Sequence, residues 1–279
     1  MKFFFIKLKN FTIRTFKFSF YFFFIKFKKP IFDSNLINKV SYLKRFDKNQ
    51  ITSLQSFILN LPLDCFKPSD TLIKSKINLH KYSSPKEIIE DNEELFGELT
   101  LLNPESYENF QFLLSENLFE ILKNYTSRKF FLNGLNIRIS FNSHKNLKDQ
   151  YMFHRDRDSY EVIKYFVYLT DVNEENGPFI FLENSYKQKF IEIFKHRFSE
   201  EFIKKNYLHN SAVRVTGPAG TSFICSTNSF HKQGANSRGF RIMVTFKFGV
   251  ENWNQNNSFN KSYFSCADKY SFVLANKNS

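Results

Sequence analysis

The sequence predicts an α+β fold in which a helical layer packs on a β-barrel, and three observations carry that expectation. The first half of the chain has few turn residues and places apolar side chains at helical spacing, whereas six of the eight glycines fall between Gly177 and Gly249. Those later glycines separate short runs rich in Phe, Val, Ile and Tyr, the pattern of strands joined by tight turns. Helices first and strands later put the two kinds of element in separate layers, and strands this short close into a barrel or sandwich.

The elements follow in order. Residues 1–30 interleave Phe with Lys and hold seven Lys, one Arg and no acidic residue, so they carry +8 of the net charge of +13. Their longest uncharged stretch, Phe18 to Ile25, is eight residues. A membrane-spanning helix needs about 20, and no small-residue cleavage site of a secretory leader follows. Phe rings beside Lys instead suit weak contact with an anionic membrane surface. Residues 31–279 carry the remaining +5 with no repeat or linker, which predicts one domain over 31–279 and no basic groove for nucleic acid. A composition of 42% hydrophobic and 24% charged residues excludes disorder and collagen-like repeats. Cys65, Cys225 and Cys266 have no metal-ligand spacing and are odd in number, which fits free thiols in a cytoplasmic compartment.

Helices are expected at Pro85–Phe96 and Pro104–Tyr125. In the second, Phe110, Leu113, Leu114, Leu118, Ile121 and Leu122 form one stripe, and Pro104 suits the first turn because its missing N–H costs nothing there. Strands are expected at Leu135–Phe141, Tyr151–Asp156, Ile163–Leu169, Pro178–Leu182, Ala212–Val215, Thr221–Cys225 and Phe240–Val250, interrupted by a helix from Lys187 to Tyr207.

One of the six histidines has an acidic residue two places on, in His154-Arg155-Asp156. In an extended segment, residues i and i+2 project to the same side, so this pair can aim two ligands at one ion. Alone it is a weak signal, since a His-x-acid triplet arises readily by chance. Its company strengthens it. His231 follows Asp156 by 75 residues, and Arg241 opens an apolar strand ten residues later. Two histidines and a carboxylate on one side of an iron leave adjacent positions open, the arrangement of non-haem Fe(II) oxygenases. A buried, planar Arg fork suits the distal carboxylate of a dicarboxylate co-substrate.

The segment QYMFHRDRDSYEVIKYFVYLTDVNEENGPFIFLENSYK, residues 150–187, resembles the metal-binding stretch of the phytanoyl-CoA dioxygenase family. The matching features are His154/Asp156, the strand ending Leu169-Thr170-Asp171-Val172, and the turn Asn176-Gly177-Pro178. The family's Gly-Ser-His corner departs here to Glu183-Asn184-Ser185-Tyr186. Further on, Gly217-Pro218-Ala219-Gly220, His231 and Arg241 fall in the family's order, so the resemblance spans a core of about 135–250.

The resemblance implies a double-stranded β-helix, a jelly-roll or cupin-like barrel with a flanking helical layer. It implies Fe(II) held by His154, Asp156 and His231, with 2-oxoglutarate and O2 as co-substrates and Arg241 on the C5 carboxylate. It further implies hydroxylation of a small metabolite or a lipid-like or carrier-bound molecule, with release of succinate and CO2. A metal-bound carboxylate favours hydroxylation over halogenation, because halogenating relatives lack it. Asp158 is a rival to Asp156, and Arg238 a rival to Arg241. Lys164 and the strand Leu135–Phe141 either help hold 2-oxoglutarate or are ordinary polar residues of the barrel. The alternative to an enzyme is a non-catalytic barrel kept as a binding or membrane-associated module; a decayed site of that kind would be expected to lose at least one ligand, so the intact set with Arg241 favours the enzyme. The prime substrate and the oligomeric state are not legible.

Overall fold

The computed structural model describes residues 37–59, 63–66, 72–77, 87, 98–101, 108–114, 116–125, 131–140, 151–156, 162–187, 192, 195–207, 209–236 and 239–249. Its strands are β1 (Ser41–Tyr42), β2 (Leu63–Phe66), β3 (Leu72–Ile77), β4 (Glu98–Leu101), β5 (Phe131–Ser140), β6 (Val162–Tyr168), β7 (Phe179–Leu182), β8 (Ala212–Val215), β9 (Ser222–Ser226), β10 (His231–Gln233) and β11 (Arg241–Gly249). Its helices are α1 (Lys48–Leu59), a 3-10 helix (Glu108–Leu113), α2 (Glu116–Tyr125) and α3 (Glu200–Asn206). The larger sheet runs β1-β9-β6-β11-β5-β4-β2-β3 and the smaller β10-β7-β8. Every pairing is antiparallel. This is the double-stranded β-helix expected from the sequence.

Period-two alternation splits the central strands between two environments. Leu135, Ile137 and Ile139 of β5, Ile163, Tyr165 and Val167 of β6, and Ile242, Val244 and Phe246 of β11 share one face of the larger sheet. The helices cover it: Ile51, Leu54 and Ile58 of α1, Phe110 and Leu113 of the 3-10 helix, and Leu118 and Leu122 of α2 belong to the same cluster. Each of these large apolar side chains stabilises the fold by about 2 kcal/mol when fully buried. The predicted stripe is therefore real, although Pro104–Tyr125 is not one helix. The N–H of Leu114 bonds back three residues to the Gln111 carbonyl, a tight turn that ends the first piece before α2 begins.

The opposite face looks into the barrel, where Phe166, Tyr168, Phe223, Cys225 and Met243 meet Phe179, Phe181 and Val215 of the smaller sheet. The Tyr168 hydroxyl ties the sheets together by donating to the Val215 carbonyl (2.9 Å) and accepting from the Phe179 N–H (3.0 Å). Ile180 and Leu182, on the outer side of the smaller sheet, pack with Phe153, Phe198, Phe230 and Ile203 of α3.

Three expectations change. The helix predicted from Lys187 begins among the described residues only at Glu200, because Phe198 spends its N–H on the Phe153 carbonyl and Ser199 caps the first turn, its Oγ accepting from the Phe202 N–H. The predicted strand Tyr151–Asp156 forms no ladder: Tyr151 and Met152 lie in a 3-10 turn and a bend, and the chain then makes single bridges from Phe153 to Phe198 and from His154 to His231. The first half also contributes strands, since β2, β3 and β4 extend the larger sheet beyond β5. Residues 1–30 lie outside the described residues, as does the predicted helix Pro85–Phe96 except Glu87. No helix among the described residues is long and apolar enough to cross a membrane.

Candidate active site

The backbone brings the predicted ligands together. His154 and His231 exchange both main-chain hydrogen bonds at 3.0 Å, and the Asp156 N–H donates to the Thr227 carbonyl at 2.8 Å. Because His154 and Asp156 are two residues apart on an extended segment, both side chains project toward His231. One ligand atom from each of His154, Asp156 and His231 lies within 4.8 Å of the other two. The two imidazole centroids are 4.3 Å apart, and Nε2 of His231 is 3.6 Å from Oδ2 of Asp156.

Each ring is oriented by its own backbone. Nδ1 of His154 is 2.9 Å from the Met152 carbonyl, and Nδ1 of His231 is 3.0 Å from the Ser229 carbonyl. A carbonyl only accepts, so both Nδ1 atoms carry the proton and both Nε2 atoms keep a lone pair. This is the orientation in which histidines bind a metal, the second nitrogen anchored to an acceptor. Burial holds His154 well below its ordinary range, with the neighbouring His231 adding to the effect, and lowers His231 to about 4. Burial alone would push Asp156 up, but Lys164, His231 and His154 outweigh it and hold the carboxyl well below the usual carboxylate range. The donor set near neutral pH is thus two neutral imidazoles and one carboxylate, which fits a divalent metal of the iron class.

A pH dependence follows for the metal-free protein. His231 binds its proton less readily folded (about 4) than unfolded (6.5), so falling pH favours the unfolded state. Its contribution is full above pH 6.5 and is lost progressively toward pH 4, amounting to about 3 kcal/mol. Chelator-treated protein should accordingly melt at lower temperature as pH falls through this window, and the decline should be shallower in H231A. Equal declines in the two proteins would refute the assignment.

Arg241, the first residue of β11, is 1% exposed and lies on the inner face with Met243. Its Nη1 donates to the Gly177 carbonyl and its Nη2 to Ser140 Oγ (3.3 Å). Gly177 sits at φ +79°, and a Cβ there would come within 3.3 Å of the Gly234 carbonyl oxygen. The Asn176-Gly177-Pro178 turn therefore needs glycine, and its carbonyl aims the guanidinium. Ser140 pairs with Arg241 across β5 and β11, which puts Arg138, two residues earlier, on the same inner face. Arg138 is lowered to about 10 by burial and by Arg241, while Asp156 acts in the opposite sense. Lys164 reaches inward from β6, its Nζ 2.7 Å from Oδ2 of Asp156. Cys225 is paired with Lys164 across β6 and β9, and burial pushes its thiol pKa far up, so it is an inert packing residue.

The structure thus unites His154, Asp156 and His231 and places Arg241 on the inner face of the same barrel. Asp158 and Arg238 lie outside the described residues, as do His80 and His144, while His196 and His209 are exposed. Two functional contacts were not anticipated. The Lys164–Asp156 pair is foreshadowed only by a lysine on the inner face of an apolar strand. The contacts of Arg155, between the two ligands, have no signal in the sequence.

A double-stranded β-helix that gathers two histidines and a carboxylate within 4.8 Å of one another is a cupin-like barrel with a group able to hold a metal ion. Among solved structures, EctD from S. alaskensis with bound Fe is similar at 12% identity and TM-score 0.55, covering 85% of each chain. The alpha ketoglutarate dependent epimerase SnoN from nogalamycin biosynthesis is similar at 12% identity and TM-score 0.52, over 76% of this chain and 78% of its own. HygX from Streptomyces hygroscopicus, with nickel, 2-oxoglutarate and hygromycin B bound, is similar at 13% identity and TM-score 0.51, over 76% and 83%. At such identities these likenesses concern the fold. No curated protein is detectably similar by sequence. The family model of phytanoyl-CoA dioxygenase (PhyH) matches residues 83–243, more than half of the chain, and the protein belongs to that family. It is accordingly a 2-oxoglutarate-dependent non-haem iron oxygenase.

Proposed function

We propose that His154, Asp156 and His231 hold the Fe(II), that Arg241 receives the C5 carboxylate of 2-oxoglutarate, and that the enzyme hydroxylates a C–H bond of a small-molecule substrate. The observation that carries this reading is the pair of Nδ1 contacts, His154 to Met152 and His231 to Ser229, which leave each Nε2 its lone pair in a group whose ligand atoms lie within 4.8 Å of one another. With iron and both co-substrates bound, the site supplies an oxidation in which C–H, O2 and 2-oxoglutarate become C–OH, succinate and CO2.

The protein's own residues set the conditions. Neutral imidazoles take up a metal without first shedding protons, and ionised Asp156 supplies the balancing charge. Arg241 offers its fork in a site with little competing water, where a charge-assisted contact is worth about twice a neutral one. Phe166, Phe179 and Phe223, packed with centroids 4.8 to 5.5 Å apart, wall the interior against solvent. The intact Asp156 favours hydroxylation, because a halogenating site would need that position for halide.

The substrate class in this reading is a small metabolite or a lipid-like or carrier-bound molecule, acted on by a single domain over 31–279. Residues 1–30, with their +8 charge, would add weak contact with an anionic membrane surface in a cytoplasmic enzyme.

The test is to add Fe(II) and 2-oxoglutarate to anaerobically purified protein, record the visible band of the complex, admit O2 and follow succinate. A band and slow succinate release are expected, accelerated by a compound from a metabolite pool whose product is heavier by one oxygen atom. A product of unchanged mass would overturn hydroxylation while leaving the enzyme class intact. If neither band nor succinate appeared, the ligand assignment would fail.

A further inference from the structure

We infer that Arg155 is a positioning residue that sets the spacing of the two ligand-bearing segments, an inference that rests on the proposed ligand set. As the residue between His154 and Asp156, it points away from them, into the outer layer of the smaller sheet, and is 5% exposed. Its guanidinium lies 3.8 Å over the ring of Phe230, the residue before His231. Nη1 donates to the Asn228 carbonyl (2.7 Å) and the Tyr186 carbonyl (3.3 Å). Nη2 donates to Oε2 of Glu192 (3.0 Å) and to the Tyr207 hydroxyl (3.1 Å), and that hydroxyl donates to Oε1 of the same Glu192. Glu192 is fully buried, so the two terminal nitrogens of Arg155 sit in a buried pair whose charges balance.

The consequence is mechanical. The segments carrying His154–Asp156 and His231 are joined by one two-bond bridge, the Asp156-to-Thr227 bond and a contact from Asn228 Nδ2 to the Asp156 carbonyl (3.3 Å). His231 is held in strand β10 by its ladder to β7, whereas the His154–Asp156 segment belongs to no ladder, so its main-chain bonds fix separation better than roll about its own axis. Roll of that segment turns the His154 imidazole and the Asp156 carboxylate away from His231. A planar guanidinium rooted in one segment, bonded to the backbone of the other and stacked on its Phe230, opposes that roll. Outer partners of metal ligands typically change metal affinity by about 10–100-fold. A buried ion pair contributes little net stability compared with well-packed apolar residues, so stapling geometry is the role it can serve.

The experiment compares wild type, R155K, Y207F and R155M/E192M by anaerobic titration with Co(II), read by calorimetry and by the visible d–d spectrum, alongside melting of the metal-free and metal-loaded forms. R155K keeps charge but not the fork, and Y207F removes one hydroxyl. The expected result is a Co(II) dissociation constant raised about 10–100-fold in R155K and R155M/E192M and less in Y207F. The d–d band should shift while the metal-free melting temperature of R155K stays near wild type. Wild-type affinity and spectrum in folded R155K or R155M/E192M would overturn the inference. So would loss of fold in R155K that metal cannot restore, since Arg155 would then be a residue of the fold alone. A variant that folds only with metal would support it. If wild type itself bound no Co(II), or H154A bound it equally well, the ligand set would be wrong, a separately visible failure.

Discussion

Replacing His231 with alanine is expected to abolish 2-oxoglutarate turnover while leaving the protein folded. A four-donor protein site binds its metal with about 10–16 kcal/mol, roughly 3 kcal/mol per donor, so one lost ligand weakens binding by about 10²–10³-fold. H154A and D156A should behave alike, with neither the visible band of the Fe(II)–2-oxoglutarate complex nor succinate at micromolar iron. Asp156 carries a second expectation. Its carboxylate faces both Lys164 (2.7 Å) and Nε2 of His231 (3.6 Å), so D156N keeps the shape but removes the charge those neighbours answer to. D156N should therefore lose metal as D156A does but unfold at a higher temperature than D156A. Iron affinity within a few-fold of wild type in any of the three alanine variants would remove that residue from the ligand set.

Substitution of Arg241 should produce a different signature. In R241K a single ammonium replaces the fork, and a charge-assisted contact of about 2–3 kcal/mol is lost, which raises the KM for 2-oxoglutarate by roughly 30–150-fold. Metal affinity should not change, because Arg241 bonds to Gly177 and Ser140 and to none of the three ligands. The same measurement on R138K discriminates between the two inner-face arginines. If R138K raised KM for 2-oxoglutarate and R241K did not, the C5 carboxylate would lie on Arg138 instead. A fall in kcat with unchanged KM would point to a role in the chemical step rather than in co-substrate binding.

The legible parts of this protein are those governed by local rules. His154 and Asp156 could be paired from the sequence because an extended segment puts i and i+2 on one side, and this held although residues 151–156 form isolated bridges and no ladder. Arg241 could be aimed inward because RIMVTFKF alternates, its apolar members Ile242, Val244 and Phe246 facing the helices. Phe110, Leu113, Leu118 and Leu122 announced the helical layer through their spacing. Strands β2, β3 and β4 were not legible, since LDCF, LIKSKI and ELTL are short, hold few β-branched or aromatic residues, and take their identity from pairing beside β5. The helix predicted over Lys187–Tyr207 is present among the described residues at Glu200–Asn206, and its late start there has a related reason: the backbone bond from Phe198 to Phe153 is a long-range contact that holds the chain out of the helix just before Ser199.

The sequence by itself determined the fold class, the family, the identity of three metal-ligand candidates and the arginine expected to meet a dicarboxylate, because each depends on residue type and on spacing along one strand. The tertiary structure alone decided how those residues are held. That the Nδ1 protons of His154 and His231 go to the Met152 and Ser229 carbonyls, that Lys164 meets Asp156, that Gly177 aims Arg241, and that Arg155 ties Phe230 and Asn228 to Glu192 and Tyr207 are visible only in the folded chain. Apart from the two carbonyls, each spans between 8 and 75 residues of chain. Over such separations the partner of a buried polar group is chosen by which strands the hydrophobic faces bring together, and no local pattern encodes that choice.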